Sequence, residues 1–208
     1  MKKNTLFKGL FKARKKVIMK DDIKFMKDSF PKRFEKDIEL ISVNFKYDRS
    51  GYHDYIETIK LNDEEINLPS RIYYLELTDS ELVQFTEMQQ RLVWCYYLSH
   101  HNGYVRQKYL LKILESGEIL EHEIPYIVSE IGSYVYEIVE DIYQHFDLLI
   151  ESGLEKFIEN NIKYARTTWG RLASYWGEYY RGIPKRDYCG FKIQKYFNQV
   201  LNKNGRKI

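Results

Sequence analysis

Thr78-Asp79-Ser80-Glu81-Leu82-Val83-Gln84-Phe85-Thr86-Glu87-Met88-Gln89-Gln90-Arg91-Leu92-Val93-Trp94-Cys95-Tyr96 is the stretch that decides the fold class. It opens with a capping box: the Thr78 hydroxyl can accept from the Glu81 N–H, and the Glu81 carboxylate can reach back to the Thr78 N–H. Leu82, Phe85, Met88, Leu92, Cys95 and Tyr96 then recur at helical spacing. This predicts one helix over about 79–99, broken by His100-His101-Asn102-Gly103.

Working outward, the helical pattern continues to Arg181. Asn102 is a good N-cap for a helix over about 103–115, with Val105, Tyr109 and Ile113 on one face. Gly117 follows its end. Pro125 has a pre-set φ and starts a third helix, over about 125–147. Ile127, Ile131, Tyr134, Ile138 and Ile142 form its apolar stripe. Shorter and longer helices follow over about 154–160, 162–181 and 190–203, with Gly182-Ile183-Pro184 as the stop after the second of these. Upstream, residues 38–77 read as the least helical part. Ile38, Leu40, Val43 and Phe45 only partly alternate, and Asp48-Arg49-Ser50-Gly51 signals a loop. Tyr55 to Leu61 and Ile66 to Leu68 flank Asn62-Asp63-Glu64-Glu65, which reads as a hairpin that Pro69 ends. Two strands are marginal alone, so the hairpin must lean on helices. The fold class expected is mostly α: stacked antiparallel helices, as an α-solenoid or an irregular bundle, with a small hairpin near 55–68.

The chain has 208 residues, 44% hydrophobic and 30% charged, with a mean hydropathy of −0.55. A chain of this size buries about 70% of its unfolded surface and can hold a core without staples. Two cysteines, Cys95 and Cys189, make no disulfide framework, so a reducing, cytoplasmic setting is expected. Cys95 falls on an apolar helix face, as a small buried hydrophobe does. No apolar run approaches a membrane span, and the basic N-terminus lacks the pattern of a secretory signal. Nineteen tyrosines accompany abundant Lys, Ile and Asn, a compositional bias that removes the raw aromatic count as a functional sign.

Charge is strongly partitioned. Residues 1–37 carry 13 Lys+Arg against 5 Asp+Glu, residues 38–160 carry 9 against 23, and residues 161–208 carry 11 against 2. Either the basic ends fold against the acidic middle, which is the expectation, or they face a polyanion. The first segment, 1–37, reads as a basic, partly helical extension of a single domain over 38–208. Leu6, Phe7, Leu10, Phe11, Val17 and Ile18 give it a short stripe that docks on the domain or stays disordered. Peripheral membrane or RNA contact by residues 1–20 is the less favoured alternative.

Tyr104-Val105-Arg106-Gln107-Lys108-Tyr109 and Tyr164-Ala165-Arg166-Thr167-Thr168-Trp169 share one pattern: Tyr, small apolar, Arg, two polar, aromatic. Together with His101-Asn102-Gly103, the first copy resembles the start of a second helix in HEAT-like and armadillo-like α-solenoid repeats. The resemblance covers residues 79–181 at most. In the second copy Ile162 replaces the capping Asn102, and the 60-residue interval exceeds the usual period of about 40–47. The resemblance implies stacked helix pairs, a concave binding face and no enzyme activity.

Candidate chemistry is sparse. His100-His101 reads as a polar connector. Glu137, Asp141 and His145 recur at i, i+4 and i+8 and read as a solvated acidic face, since the partners a di-metal carboxylate site needs are absent. Glu118, Glu121, His122 and Glu123 read as a solvated loop. No phosphate loop, nucleophile elbow or zinc-binding helix motif appears, so no cofactor, metal or catalytic residue is expected. The C-terminal third interleaves cations with rings, which suits single-stranded nucleic acid but also suits a core stripe. Arg106, Lys108, Arg166, Trp169, Arg171, Tyr175, Arg181, Lys185 and Arg186 are the candidate binding residues. The expected function is a non-enzymatic binding or scaffold protein with a protein partner. A nucleic-acid module and an enzyme without a recognisable motif are the alternatives.

Overall fold

Two threonines, eight residues apart, each start a helix. The computed structural model describes residues 19–48 and 56–203. In it, Thr78 caps α3 (Asp79–Leu82) and Thr86 caps α4 (Glu87–Tyr97), both through reciprocal capping boxes. The single helix expected over 79–99 is therefore two. The Thr86 hydroxyl accepts from the Gln89 N–H while the Gln89 side chain accepts from the Thr86 N–H, which offers the backbone a fresh start. Glu81's carboxylate, bonded by the Thr78 N–H and by Lys46, is held down at about 2.

The helix expected over 125–147 is also broken, into α6 (Ile124–Ile131) and α7 (Tyr136–Gln144), with α8 (Phe146–Glu151) beyond. The cause lies in Gly132-Ser133. A Cβ on Gly132 would stand 3.0 Å from the Thr168 carbonyl, so glycine lets the end of α6 lie against the next long helix without crowding it. Ser133 Oγ accepts from the Val135 N–H at 3.3 Å and redirects the chain. Other bounds match the expectation closely: α5 (Gly103–Leu114), α9 (Leu154–Asn160), α10 (Ile162–Tyr179) and α11 (Cys189–Lys203). Gly153 enters α9 at φ 103°, where a side chain would be strained.

Upstream lie α1 (Lys20–Asp28) and α2 (Glu35–Ser42), and the end of α2 runs into the part read as least helical, 38–77. Ile38 and Ile41 are buried while Leu40 and Val43 face solvent, so the spacing there is helical rather than alternating. The segment expected as an extension belongs to the domain from Lys20 onward. Met26, Phe30 and Phe34 are buried, and Tyr126 stacks on Phe30 at 5.3 Å while its hydroxyl donates to the Ser29 carbonyl. The expected stripe over 6–18, Arg49 to Tyr55 and the tail from Asn204 lie outside the described residues.

One antiparallel hairpin completes the fold, β1 (Ile56–Leu61) with β2 (Glu64–Pro69). Its turn is only Asn62-Asp63, tighter than the four residues expected, with Leu61 opposite Glu64 and Asn62 at φ 54°. Ile59, Leu61, Ile66 and Leu68 turn to the core. The Asn161 side chain holds the free edge. Its Oδ1 accepts from the Lys60 N–H and its Nδ2 donates to the Lys60 carbonyl, both at 2.7 Å. A helix-junction amide thus stands in for a third strand and supplies the support a lone hairpin lacks. No described helix is long and apolar enough to cross a membrane.

The charge partition is partly neutralised inside the molecule. Arg33 pairs with Glu121, Arg171 with Glu57 and Lys203 with Glu155, each joining a basic end to the acidic middle.

Candidate interaction surface

The linker between α6 and α7 brings Tyr134 to the surface, 38% exposed, where the sequence placed it on a core stripe. It is held there from several sides. The Tyr180 hydroxyl donates to the Tyr134 carbonyl at 2.8 Å and accepts from the Tyr136 N–H at 3.3 Å. The Arg106 guanidinium lies 5.3 Å from the Tyr134 ring centre and Arg71 lies 6.0 Å from it. Tyr175 meets the same ring edge-on at 5.9 Å, and Tyr179 stacks on Tyr175 at 6.2 Å. At the start of α5, Tyr104 projects with 83% of its surface exposed. Tyrosines and arginines are thus gathered on one face from four separate stretches of chain.

Two concavities flank Tyr134. A groove of about 620 Å³ is bounded by His101, Asn102, Gly103, Tyr104 and Gln107 on one side and by Tyr134, Val135 and Glu137 on the other. A smaller one, about 190 Å³, lies between Ser70-Arg71, the end of α6, and Arg171 with Tyr175.

Beneath this face is a buried polar layer. Arg106 is fully buried. Its Nε donates to Glu130 at 2.9 Å, one Nη to the His100 carbonyl at 2.9 Å and the other to Ser133 at 3.2 Å. His100 is buried and its pKa is lowered, chiefly by that burial. Its Nε2 faces the Tyr74 carbonyl and its Nδ1 faces the Asn102 N–H. A carbonyl only accepts and an amide only donates, so the neutral ring carries its proton on Nε2. The connector is therefore a structural histidine. It lies below the groove and helps fix the Asn102 cap.

A second buried ion pair joins α4 to the turn that precedes α6. Arg91 grips Glu123 through two parallel bonds of 2.7 Å. Glu123 also accepts from the Leu120 N–H at 2.8 Å. This corrects the solvated-loop reading of His122 and Glu123, which are 1% and 0% exposed. The His122 ring packs on Phe34 at 4.7 Å. Burial, with Arg33 and Arg91 nearby, pushes its pKa down to about 3. Cys95, His122 and Glu123 hold ligand-type atoms within 4.8 Å of one another. A cation there would have to compete with Arg91 for a Glu123 oxygen, since Arg91 bonds both, and burial raises the Cys95 thiol well above its ordinary value. The trio is the surround of an ion pair.

The nine residues singled out in the sequence separate clearly. Arg171 and Tyr175 belong to the face just described; Arg171 bonds Glu57 and Thr168. Arg106 supports the face from inside, a correction, because its charge is fully paired below the surface. Trp169 is another correction: it is 5% exposed and packs on Phe197 at 5.1 Å. Lys108 pairs with Glu76. Lys185 lies over the Trp176 and Phe191 rings, at 5.0 and 5.4 Å. Arg166, Arg181 and Arg186 are exposed, Arg186 beside Asp187. Tyr164 and Tyr188 are buried, so several rings of the C-terminal third face inward. Of the acidic line on α7, Asp141 accepts from Gln107 at 2.8 Å and His145 Nδ1 lies 2.9 Å from the Asp141 carbonyl of its own helix.

Sequence reasoning missed Arg71, Tyr104 and Tyr134. Only Gly132-Ser133, a weak helical pair inside an otherwise good stripe, signalled that Tyr134 would be displaced outward. No family model, curated protein or solved structure matches the chain.

Proposed function

We propose that the chain is a non-enzymatic binding protein that recognises a protein partner through the tyrosine–arginine face around Tyr134. The observation that carries this reading is the convergence of Tyr104, Tyr134, Tyr175, Tyr179, Arg71 and Arg171 beside a groove. Tyrosine and arginine are enriched at protein–protein hot spots: the tyrosine ring covers a large area at low entropic cost and keeps a polar end, and the arginine fork supplies several donors in a fixed geometry. Tyr104 at 83% and Tyr179 at 63% exposure leave much apolar surface in water, which a partner would cover. The buried Arg106–Glu130 pair supports the reading by fixing the floor under Tyr134 before a partner arrives.

Photo-crosslinking tests it. Benzoylphenylalanine is placed at Tyr104 or Tyr179, with Val83 and Leu40 as equally exposed controls elsewhere. The expected result is a discrete adduct from the first two positions only, retained at high salt and lost in Arg71→Glu. Equal adducts at all four positions, or none from the tyrosine face, would remove the reading.

A further inference from the structure

We propose that the groove between the start of α5 and the start of α7 receives a lysine or arginine side chain of the protein partner. The inference rests on the partner-binding reading of the face and adds the chemistry of the residue inserted.

The groove has apolar walls and one acidic end. Tyr104 and Tyr134 provide rings from the two sides, and Val135 provides aliphatic surface beside Tyr134. Glu137 is exposed at the rim, and among the described residues no cation lies within salt-bridge distance of it. Among the described residues, no lysine or arginine lines the groove. Arg106 lies over the Tyr134 ring from below, but Glu130 neutralises it, and Arg71 lines the neighbouring concavity instead. Gln107 is held by Asp141 and His101 stacks on Tyr73 at 5.1 Å, so neither fills the opening. A long apolar stem with a cationic head satisfies both requirements. The stem lies along Val135 and the rings, and the head meets the Tyr104 face and the Glu137 carboxylate. An acidic side chain would meet Glu137 with like charge, and a purely apolar one would leave that carboxylate partly desolvated and unpaired.

The test uses the full chain labelled with ¹⁵N and titrated with acetyl-arginine amide, acetyl-lysine amide and the neutral isostere acetyl-citrulline amide. Saturable shifts are expected at the amides of Tyr104, Gln107, Val135 and Glu137 with both cations, and at least fivefold weaker binding with citrulline. Glu137→Gln should weaken the arginine probe at least fivefold. Glu151→Gln, an exposed acid on α8, should leave it unchanged. Citrulline binding within fivefold of arginine, shifts scattered over other acidic surfaces, or a smaller effect of Glu137→Gln would overturn the proposal. The Tyr179 crosslink separates the two failures. If it forms and is unaffected by Glu137→Gln, the groove inference falls and the face stands. If it never forms, the face itself is wrong.

Discussion

Replacing Arg106 by Met should be among the most damaging single changes in the chain. The methionine fills much of the same volume but carries no donor. It leaves the Glu130 carboxylate, 6% exposed, without its counter-charge, and it removes the arginine's bonds to the His100 carbonyl and the Ser133 hydroxyl. Breaking a buried pair from one side costs about 3–5 kcal/mol, because the remaining charge stays desolvated. For a domain of this size each kcal/mol lowers Tm by about 2–4 °C, so a fall of about 6–20 °C is expected. Urea unfolding followed by circular dichroism, with a parallel thermal melt, measures both quantities. The double variant Arg106→Met/Glu130→Leu removes the stranded charge and should recover at least half of the loss, about 2 kcal/mol or more. A single variant within about 1 kcal/mol of the parent would show that water already reaches the pair and that the polar floor under Tyr134 is not dry.

Three further expectations follow from the same interior. His122 has a folded pKa of about 3 against an unfolded value of about 6.5. Its stability contribution is complete above the unfolded value and is lost as pH falls below it, when only the unfolded chain takes the proton. The loss attributable to His122 between pH 7 and 5 is about 2 kcal/mol; His100, also lowered, acts in the same direction. His122→Phe should flatten the pH profile by that amount, and an unchanged slope in denaturant titrations would show that the ring protonates in place. Asn161→Ala removes both bonds to Lys60 and one to the Phe157 carbonyl, and should cost about 2 kcal/mol while speeding hydrogen exchange in β1 before the helices. Finally, because Trp169, Tyr164 and Tyr188 are buried, mixed single-stranded RNA and DNA should show no retardation in a low-salt gel shift. A saturable, salt-sensitive complex would favour the nucleic-acid alternative instead.

Much of the helical framework was legible because its signals are local. The Thr78 box, the Asn102 cap, Pro125 and the stop at Gly182-Ile183-Pro184 each act within a turn of the backbone they govern. The hairpin was legible for the same reason. The break at Thr86 had a readable signal too, a second Thr-x-x-Gln box, but the apolar spacing runs through it without interruption and masks it. The buried ion pairs were not legible. Arg91 and Glu123 are 32 residues apart, and Arg106 and Glu130 are 24 apart. Nothing in a linear pattern separates an arginine that meets its carboxylate in the interior from one that points to water. This is why Arg106 read as a surface cation. The echo around Tyr104 and Tyr164 shows the same limit. Tyr104 is exposed and Tyr164 buried, while Arg106 is buried and Arg166 exposed, so equal letters occupy opposite environments. The face around Tyr134 was half legible: Arg171 and Tyr175 lie on a readable helix, whereas Tyr104 and Arg71 join them only through tertiary packing.

The amide of Asn161 reaches a strand residue 101 positions earlier in the chain. During synthesis at about 5–20 residues per second, the hairpin leaves the ribosome roughly 5–20 s before the group that will fasten its edge. Through that interval the Lys60 N–H and carbonyl lack the partner that covers them in the folded chain. A charged residue at an open strand edge disfavours pairing with another chain, and Lys60 occupies that position until the α9–α10 junction closes the seam.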